Sequence, residues 1–171
     1  MKPFRFCPAC GAELEPPPTH DRGSYCRRCR RSWYRNAAPT AGAAVVRDGK
    51  VLVAVRAFEP EKGKVDVPGG FLDYDEDPVS GLKREIREET GIEVLVGDGD
   101  YVQAVPHTYG AGGDWVLALG FVAEYAGGEP EPADDVAELK WVGLSEIDEL
   151  DWAWSHDKNL VRKALMRHEA S

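Results

Sequence analysis

The chain has 171 residues, enough for one catalytic domain and a small additional unit. Its net formal charge of −9 favours a soluble protein and argues against general nucleic-acid binding. No segment approaches the roughly 20 consecutive apolar residues that cross a membrane, and the short, polar and aromatic start is unlike a signal peptide. The sequence therefore predicts a cytoplasmic protein that does not enter the membrane.

All four cysteines lie near the start of the chain, in two Cys-x-x-Cys pairs. Cys7 and Cys10 form the first pair, and Cys26 and Cys29 form the second. Thiolates at this spacing suit a tetrahedral zinc site, whereas a cytoplasmic location disfavours the alternative of two disulfides. So short a segment buries little apolar surface, so a bound metal would stabilise it. We therefore predict a zinc ribbon with structural Zn²⁺ at residues 1–37.

The predicted ribbon is basic, whereas the rest of the chain is acidic. Residues 1–37 contain eight Lys and Arg against three Asp and Glu, a net formal charge of +5, and residues 38–171 carry −14. Two interpretations remain open. The arginines can follow phosphates, for example at an RNA 5′ end, or the ribbon can be a structural cap or a dimer contact.

The acidic part of the chain begins with a predicted hairpin. Residues 41–47 and 51–56 are apolar runs on either side of Asp48-Gly49, a strong turn signal. Residues 64–67 are predicted to form a short strand that leads into Pro68-Gly69-Gly70. Because glycine has no Cβ, this loop lets the backbone approach a ligand closely.

A helix is predicted between Asp77, a favoured N-cap residue, and Gly91, a natural C-terminal stop. At about 100° per residue, Glu85, Glu88 and Glu89 share one side of this helix and adjoin an apolar stripe. Three like charges on one arc repel each other unless a cation is bound. Mg²⁺ and Mn²⁺ both accept carboxylate ligands, so a metal site is one interpretation. A solvated acidic helix face is the other.

Further strands and a closing helix follow. The predicted strands are residues 93–96, 101–105, 115–125 and 138–142, and the predicted helix is residues 157–167. This order of elements favours an α/β sandwich with a mixed sheet.

Several aromatic side chains are candidates for stacking on a nucleotide base. They are Tyr109 and Trp115, in and after the loop that follows the helix, Trp33 and Tyr34 after the ribbon, and Trp152 and Trp154 near the closing helix. His107 can touch a phosphate or a ribose. The alternative is that the tryptophans are core residues and that the histidine is a surface residue without a role.

The segment from Gly70 to Ile92 resembles a complete Nudix box. Gly70 and Glu76 are followed by Arg84-Glu85-Ile86-x-Glu88-Glu89-x-Gly91-Ile92 at the spacing of that motif. The resemblance extends over most of residues 38–168. It implies an α/β/α sandwich with a mixed sheet at residues 38–171, preceded by the zinc ribbon, and hydrolysis of a nucleoside diphosphate linked to another group.

The resemblance also implies roles for single residues. Glu88 and Glu89 are expected to be metal ligands, and Glu85 a ligand or the general base. A backbone carbonyl near Gly70 is expected to bind metal, and Arg84 to orient a carboxylate. Metal ions would neutralise phosphate oxygens and lower the pKa of a bound water, and a carboxylate would take its proton as that water attacks phosphorus.

Three further acidic residues have less certain assignments. In related Nudix enzymes an acidic residue before the late strand can reach the metal site; Asp135 is the first choice here and Glu138 the second. A solvated acidic loop is the alternative. Glu76, which precedes the helix, is either a ligand or a residue that stabilises the loop.

A ribbon in front of a Nudix domain resembles the NADH pyrophosphatase branch, which is homodimeric. The Ser-Gln-Pro-Trp signature of that branch is absent from residues 102–109, so a preference for NADH is not implied. The leading prediction is Mg²⁺-dependent cleavage of the pyrophosphate bond of ADP-ribose, NADH, NAD⁺ or a similar dinucleotide. The alternatives are hydrolysis of an NAD cap at an RNA 5′ end, removal of oxidised nucleoside triphosphates, and ligand sensing without turnover.

Overall fold

The computed structural model describes residues 4–16 and 23–169. The chain divides into two compact units, Met1–Ala37 and Ala38–Ser171. Among the described residues, no helix is long and apolar enough to cross a membrane.

The first unit contains a short antiparallel hairpin, β1 (Ser24–Cys26) and β2 (Arg31–Trp33). A tight turn follows the first cysteine of each pair: the Gly11 N–H donates to the Cys7 carbonyl at 2.9 Å, and the Arg30 N–H donates to the Cys26 carbonyl at 2.7 Å. These turns bring the second cysteine of each pair back towards the first.

The described residues of the second unit, 38–169, form eight strands and two α-helices. The strands are β3 (Ala38–Arg47), β4 (Lys50–Arg56), β5 (Val65–Asp66), β6 (Gly69–Phe71), β7 (Glu93–Leu95), β8 (Tyr101–Tyr109), β9 (Asp114–Gly127) and β10 (Val136–Val142). The helices are α1 (Pro78–Thr90) and α2 (Ser155–Glu169).

The strands form one mixed sheet with two cores. Its central order is β10-β4-β3-β9-β7; β5 pairs with β4, β6 with β3 and β8 with β9, and only the β3–β9 pairing is parallel. Side chains alternate between the faces of a strand. Ala41, Ala43 and Val45 of β3 therefore share one core with α1, and Ala44 and Val46 share the other with α2. The predicted α/β/α sandwich with a mixed sheet is confirmed.

The predicted hairpin and acidic helix are also confirmed. The Asp77 carboxylate accepts hydrogen bonds from the backbone N–H groups of Val79 and Ser80, and Gly91 ends α1 in the left-handed conformation with φ of 69°. One boundary was wrong. Residues 106–109 belong to β8 rather than to a loop, because their backbone pairs with residues 114–117 of β9.

The end of α1 gives a stability prediction. Replacing Gly91 by alanine places a Cβ on a residue with φ of 69° and 3.2 Å from the Glu129 carbonyl. We expect this change to lower the free energy of unfolding by about 1–2 kcal/mol, measured by urea titration. Gly97 is the matched control, because its φ is −143° and a Cβ there meets no atom within 4 Å. Equal stability of the two variants would contradict the prediction.

Candidate active site and metal centre

The glycine loop lies so close to β3 that only glycine fits at position 69, and it also lies close to a side chain of α1 at position 70. Gly69 has a φ of 142°, and a Cβ there would lie 2.2 Å from the carbonyl oxygen of Ala41. A Cβ on Gly70 would lie 2.6 Å from the carboxyl group of Glu85. The two glycines therefore hold the loop backbone against β3 on one side and against the acidic face of α1 on the other.

The three carboxylates of α1 differ in burial. Glu89 is only 6% exposed, and its Oε2 accepts a hydrogen bond of 2.8 Å from the Gly69 N–H. Burial, reinforced by nearby carboxylates, raises the pKa of Glu89 to about 9, and burial also raises the pKa of Glu85. The Glu88 side chain is 55% exposed. The side chains of Glu85 and Glu89 are thus largely shielded from solvent, whereas that of Glu88 is solvated.

Arg84 connects these acids to one another. Its Nη1 atom lies 2.8 Å from Oε1 of Glu85 and 3.2 Å from Oε2 of Glu88. Its Nη2 atom donates to the Phe71 carbonyl at 3.2 Å. Because one planar guanidinium contacts both carboxylates and the loop, it fixes their orientation.

Glu76 anchors this arginine. Its two oxygens accept hydrogen bonds from Nε and Nη2 of Arg84 at 2.9 Å and 2.7 Å, and one of them also accepts the Asp73 N–H at 3.0 Å. With both oxygens bound in this way, Glu76 has the geometry of a residue that stabilises the loop rather than that of a metal ligand.

The loop and the helix border a cavity of about 290 Å³. Seven of the candidate residues that we selected from the sequence line it: Gly70, Glu85, Glu89, His107, Tyr109, Asp135 and Trp154. The cavity therefore brings the acidic helix together with side chains from β8, α2 and the loop before β10.

Several candidates do not line the cavity, among them Arg84 and Glu88 of α1. Trp115 of β9 is 45% exposed and faces away from the cavity, because its neighbour Val116 lines the cavity and side chains alternate along a strand. Glu138 is paired with Lys140 at 3.0 Å and does not line the cavity either. Of the two acids considered before β10, the structure places only Asp135 at the cavity.

A buried ion pair forms the wall opposite α1. Nη1 of Arg56 lies 2.8 Å from Oδ2 of Asp66, and Nη2 donates a hydrogen bond to the Tyr109 hydroxyl oxygen at 3.2 Å. The guanidinium also lies 4.9 Å from the ring centre of Trp154. Burial raises the pKa of Asp66 to about 6, although Arg56 opposes this shift. Arg56 thus joins three elements into one wall.

Two histidines complete this wall. The ring centres of His107 and His156 are 4.6 Å apart, and that of Trp154 is 5.5 Å from His107. Burial lowers the pKa of both imidazoles, that of His156 to about 4. Both rings are therefore neutral near pH 7 and present a largely aromatic surface to the cavity.

The sequence analysis did not select five residues that line the cavity: Arg56, Asp66, Gln103, His156 and Asp157. A signal was available for two of them. Arg56 ends an apolar strand, and Asp66 interrupts the apolar pair Val65 and Val67 just before the glycine loop. A charge inside a predicted buried strand indicates a paired or functional group.

The four cysteines of the first unit form a separate cluster. Their Sγ atoms all lie within 4.8 Å of one another. The closest pairs, Cys10–Cys26 at 3.6 Å and Cys7–Cys29 at 3.9 Å, are far longer than the roughly 2.05 Å of a disulfide. Four free thiols in this arrangement have the ligand number that metal ions such as zinc take in structural sites.

The fold and the cavity define an α/β/α domain with a carboxylate-rich site of the kind that binds divalent cations. The family model described as NUDIX domain matches residues 37–164. The chain therefore belongs to the Nudix hydrolase family, whose members generally use a divalent metal.

The named relatives of this chain include proteins with two different activities. The ADP-ribose pyrophosphatase of Methanocaldococcus jannaschii is 31% identical over 134 residues, covering 78% of this chain and 76% of that protein. The NAD-capped RNA hydrolase NudC of Pseudomonas aeruginosa is 30% identical over 170 residues, covering 98% of this chain. The chain spans 58% of the length of that NudC protein.

A solved structure supports the fold. The crystal structure of a Nudix hydrolase from Nitrosomonas europaea covers 98% of this chain and 94% of its own, with a TM-score of 0.76 and 23% sequence identity. At this identity the match concerns the fold alone.

The cysteine cluster gives a second prediction. We expect the purified protein to contain about one zinc ion per chain, since four thiolates complete a tetrahedral shell. Replacing Cys26, which is buried within the cluster, by serine should release the ion and unfold the first unit. Elemental analysis and circular dichroism measure both effects. The exposed Ser80 on α1, changed to alanine, is the control. Full zinc content in the Cys26→Ser protein would show that the cluster does not bind zinc.

Proposed function

We propose that this protein hydrolyses the pyrophosphate bond of a nucleoside diphosphate derivative such as ADP-ribose, NADH or NAD⁺, with Mg²⁺ or Mn²⁺. The observation that carries the proposal is one cavity in which a carboxylate cluster faces an aromatic wall. The carboxylates suit the metal-bound phosphates, and the wall suits a planar base. The name of the relative from Methanocaldococcus jannaschii, an ADP-ribose pyrophosphatase, is consistent with this substrate class.

Four residues are proposed to hold the metal: Gly70 through its carbonyl, and Glu85, Glu88 and Glu89 through their side chains. Their oxygens are the donors that Mg²⁺ and Mn²⁺ take. Glu89 fits this role well, because it is buried and the charged groups that act on its pKa are other acids: Asp135, Asp66 and Glu85. With a divalent cation held there, phosphate oxygens would be neutralised and the pKa of a bound water would be lowered.

The remaining cavity residues have proposed roles in orientation and proton transfer. Arg84 keeps Glu85 and Glu88 in place. Glu85 and Asp135 line the cavity and are the two candidates for the base that accepts a proton from the attacking water. Tyr109 and Trp154, whose rings are stacked with centres 5.8 Å apart, offer the surface for a base.

This function predicts a strict dependence on Glu89. We expect Glu89→Gln to lower kcat by about 100-fold or more with Mg²⁺, because the neutral amide neither holds a cation nor balances its charge. Turnover is measured on ADP-ribose, NADH, NAD⁺, FAD, diadenosine polyphosphates, 8-oxo-dGTP and NAD-capped RNA. A preference for 8-oxo-dGTP would indicate that the protein removes oxidised nucleotides. Tight binding of a ligand without turnover would indicate a ligand sensor.

The control for this experiment is Glu93→Gln, which removes an exposed carboxylate just beyond α1. Wild-type turnover in both Glu88→Gln and Glu89→Gln would contradict the proposed metal site.

A second candidate function is hydrolysis of the NAD cap at an RNA 5′ end. Two observations favour it: the name of the NudC relative, which covers 98% of this chain, and the net charge of +5 on residues 1–37. The exposed arginines of this unit include four close together in the chain: Arg27, Arg28, Arg30 and Arg31. Exposed arginines of this kind can follow the phosphates of an RNA chain.

We expect replacement of these four arginines by alanine to lower kcat/KM for NAD-capped RNA by about tenfold or more at low salt, and to leave kcat/KM for free NAD⁺ unchanged. The variant with four lysines keeps the charge and is the matched control. Equal loss on both substrates, or no RNA binding by the intact protein, would rule out this role for the ribbon.

We further propose that residues 1–37 form a structural Zn²⁺ ribbon, that residues 38–171 form the catalytic domain, and that the protein is a cytoplasmic homodimer. The four free cysteines support the metal and a reducing compartment. The dimer rests on the resemblance to ribbon-bearing Nudix proteins and is tested by light scattering.

A further inference from the structure

Asp157 is a buried acid of the cavity wall that the proposed mechanism does not use. It lies in the first turn of α2, is 8% exposed and lines the cavity. Within the described part of the chain its carboxyl group has no hydrogen bond. The nearest ring or ammonium nitrogen that could form an ion pair with it is Nε2 of His156, which lies 3.5 Å from Oδ1 of Asp157. Because the pKa of His156 is lowered to about 4, that contact is with a neutral ring near pH 7.

Such a group calls for an explanation, because buried polar atoms nearly always have partners. Asp157 is the third residue of α2, and its carboxyl group accepts no hydrogen bond from a described backbone N–H at the helix start. Burial, together with the charge of Asp66, raises the pKa of Asp157 well above its usual range. The described part of the chain therefore supplies no hydrogen bond to this carboxyl group, which lines the cavity.

The polar neighbours of Asp157 in the cavity wall are already occupied. Arg56 and Asp66 are bound to each other at 2.8 Å. The amide of Gln103 donates to the His156 carbonyl at 3.0 Å and accepts from Lys163 at 2.9 Å. Asp157 is thus a hydrogen-bonding group left for a ligand, in a wall that also presents the ring of Trp154.

The groups in the cavity wall indicate which chemical groups a ligand needs. An aromatic surface suits a planar ring, and an unpartnered carboxyl group suits an N–H donor on the edge of that ring. A nucleotide offers this combination as the exocyclic amine of adenine or as the carboxamide of nicotinamide. Both are NH₂ groups on a flat heteroaromatic ring.

We propose that Asp157 accepts a hydrogen bond from the NH₂ group of a heteroaromatic ring in the substrate and thereby determines which nucleotides the cavity selects. This inference rests on the proposed function, because it places a nucleotide in the same cavity. Sites that hydrogen-bond a substrate group discriminate strongly against analogues that lack it, since the buried protein group is then left unpaired.

The test uses mononucleotides, so that it does not depend on turnover. Calorimetry with Mg²⁺ compares AMP with IMP, which lacks the exocyclic amine, and nicotinamide mononucleotide with nicotinate mononucleotide, which has a carboxylate in place of the carboxamide. We expect the wild type to prefer the NH₂-bearing member of one pair by about tenfold or more. The pair that shows the preference identifies the ring.

Asp157→Leu, which keeps the volume but removes the acceptor, should abolish this preference. It should also raise the urea midpoint of unfolding, because a buried carboxyl group without a partner is removed. Asp151→Leu, at an exposed position before α2, should leave the preference unchanged.

Several results would overturn the inference: no preference in the wild type, an undiminished preference in Asp157→Leu, no binding of the four mononucleotides, or a lower urea midpoint. Failure of the proposed function is seen separately, as absence of hydrolysis in the substrate panel. If hydrolysis is present and selectivity does not depend on Asp157, only the inference about Asp157 is wrong.

Discussion

The site depends on the guanidinium of Arg84, which holds like charges close to one another. Glu76, Glu85 and Glu88 all contact this one group. Without it, the carboxylates on the exposed side of α1 would repel each other and point into water. The cation thus opposes the repulsion between Glu85 and Glu88, and Glu89 is held separately by the Gly69 N–H. The carboxylates that we propose as metal ligands are therefore held in a fixed arrangement by the protein itself.

The part of the site that sequence analysis predicted well is local. Gly70, Glu85 and Glu89 lie within 20 residues of one another in the chain, and their geometry follows from a glycine loop, an N-cap and a helix of known period. The same rules gave the hairpin and the apolar face of α1. The type and position of a long element with a regular apolar pattern follow from backbone geometry, so they can be predicted from one segment of the sequence at a time.

The opposite wall could not be predicted in this way. Arg56, Asp66, Tyr109 and Trp154 come from four different segments, and only the sheet order β4-β3-β9 with β8 beside β9 brings them together. That order is a property of long-range pairing. The same applies to Trp115, whose aromatic ring suggested a base contact: its side of the strand is fixed by pairing with β8, and this side is away from the cavity.

The turn between β8 and β9 has a consequence for how related proteins can diverge. Residues 110–113 connect the two strands, and the Gly113 N–H closes the turn on the Gly110 carbonyl at 3.0 Å. Insertion or loss of one residue here would shift the pairing by one position and exchange the two faces of β8. His107 and Tyr109 would leave the cavity, and Thr108 would enter it. The length of a glycine-rich turn, rather than any substitution in the cavity, can thus change in a single step which ligands fit the cavity, while the acidic helix stays unchanged.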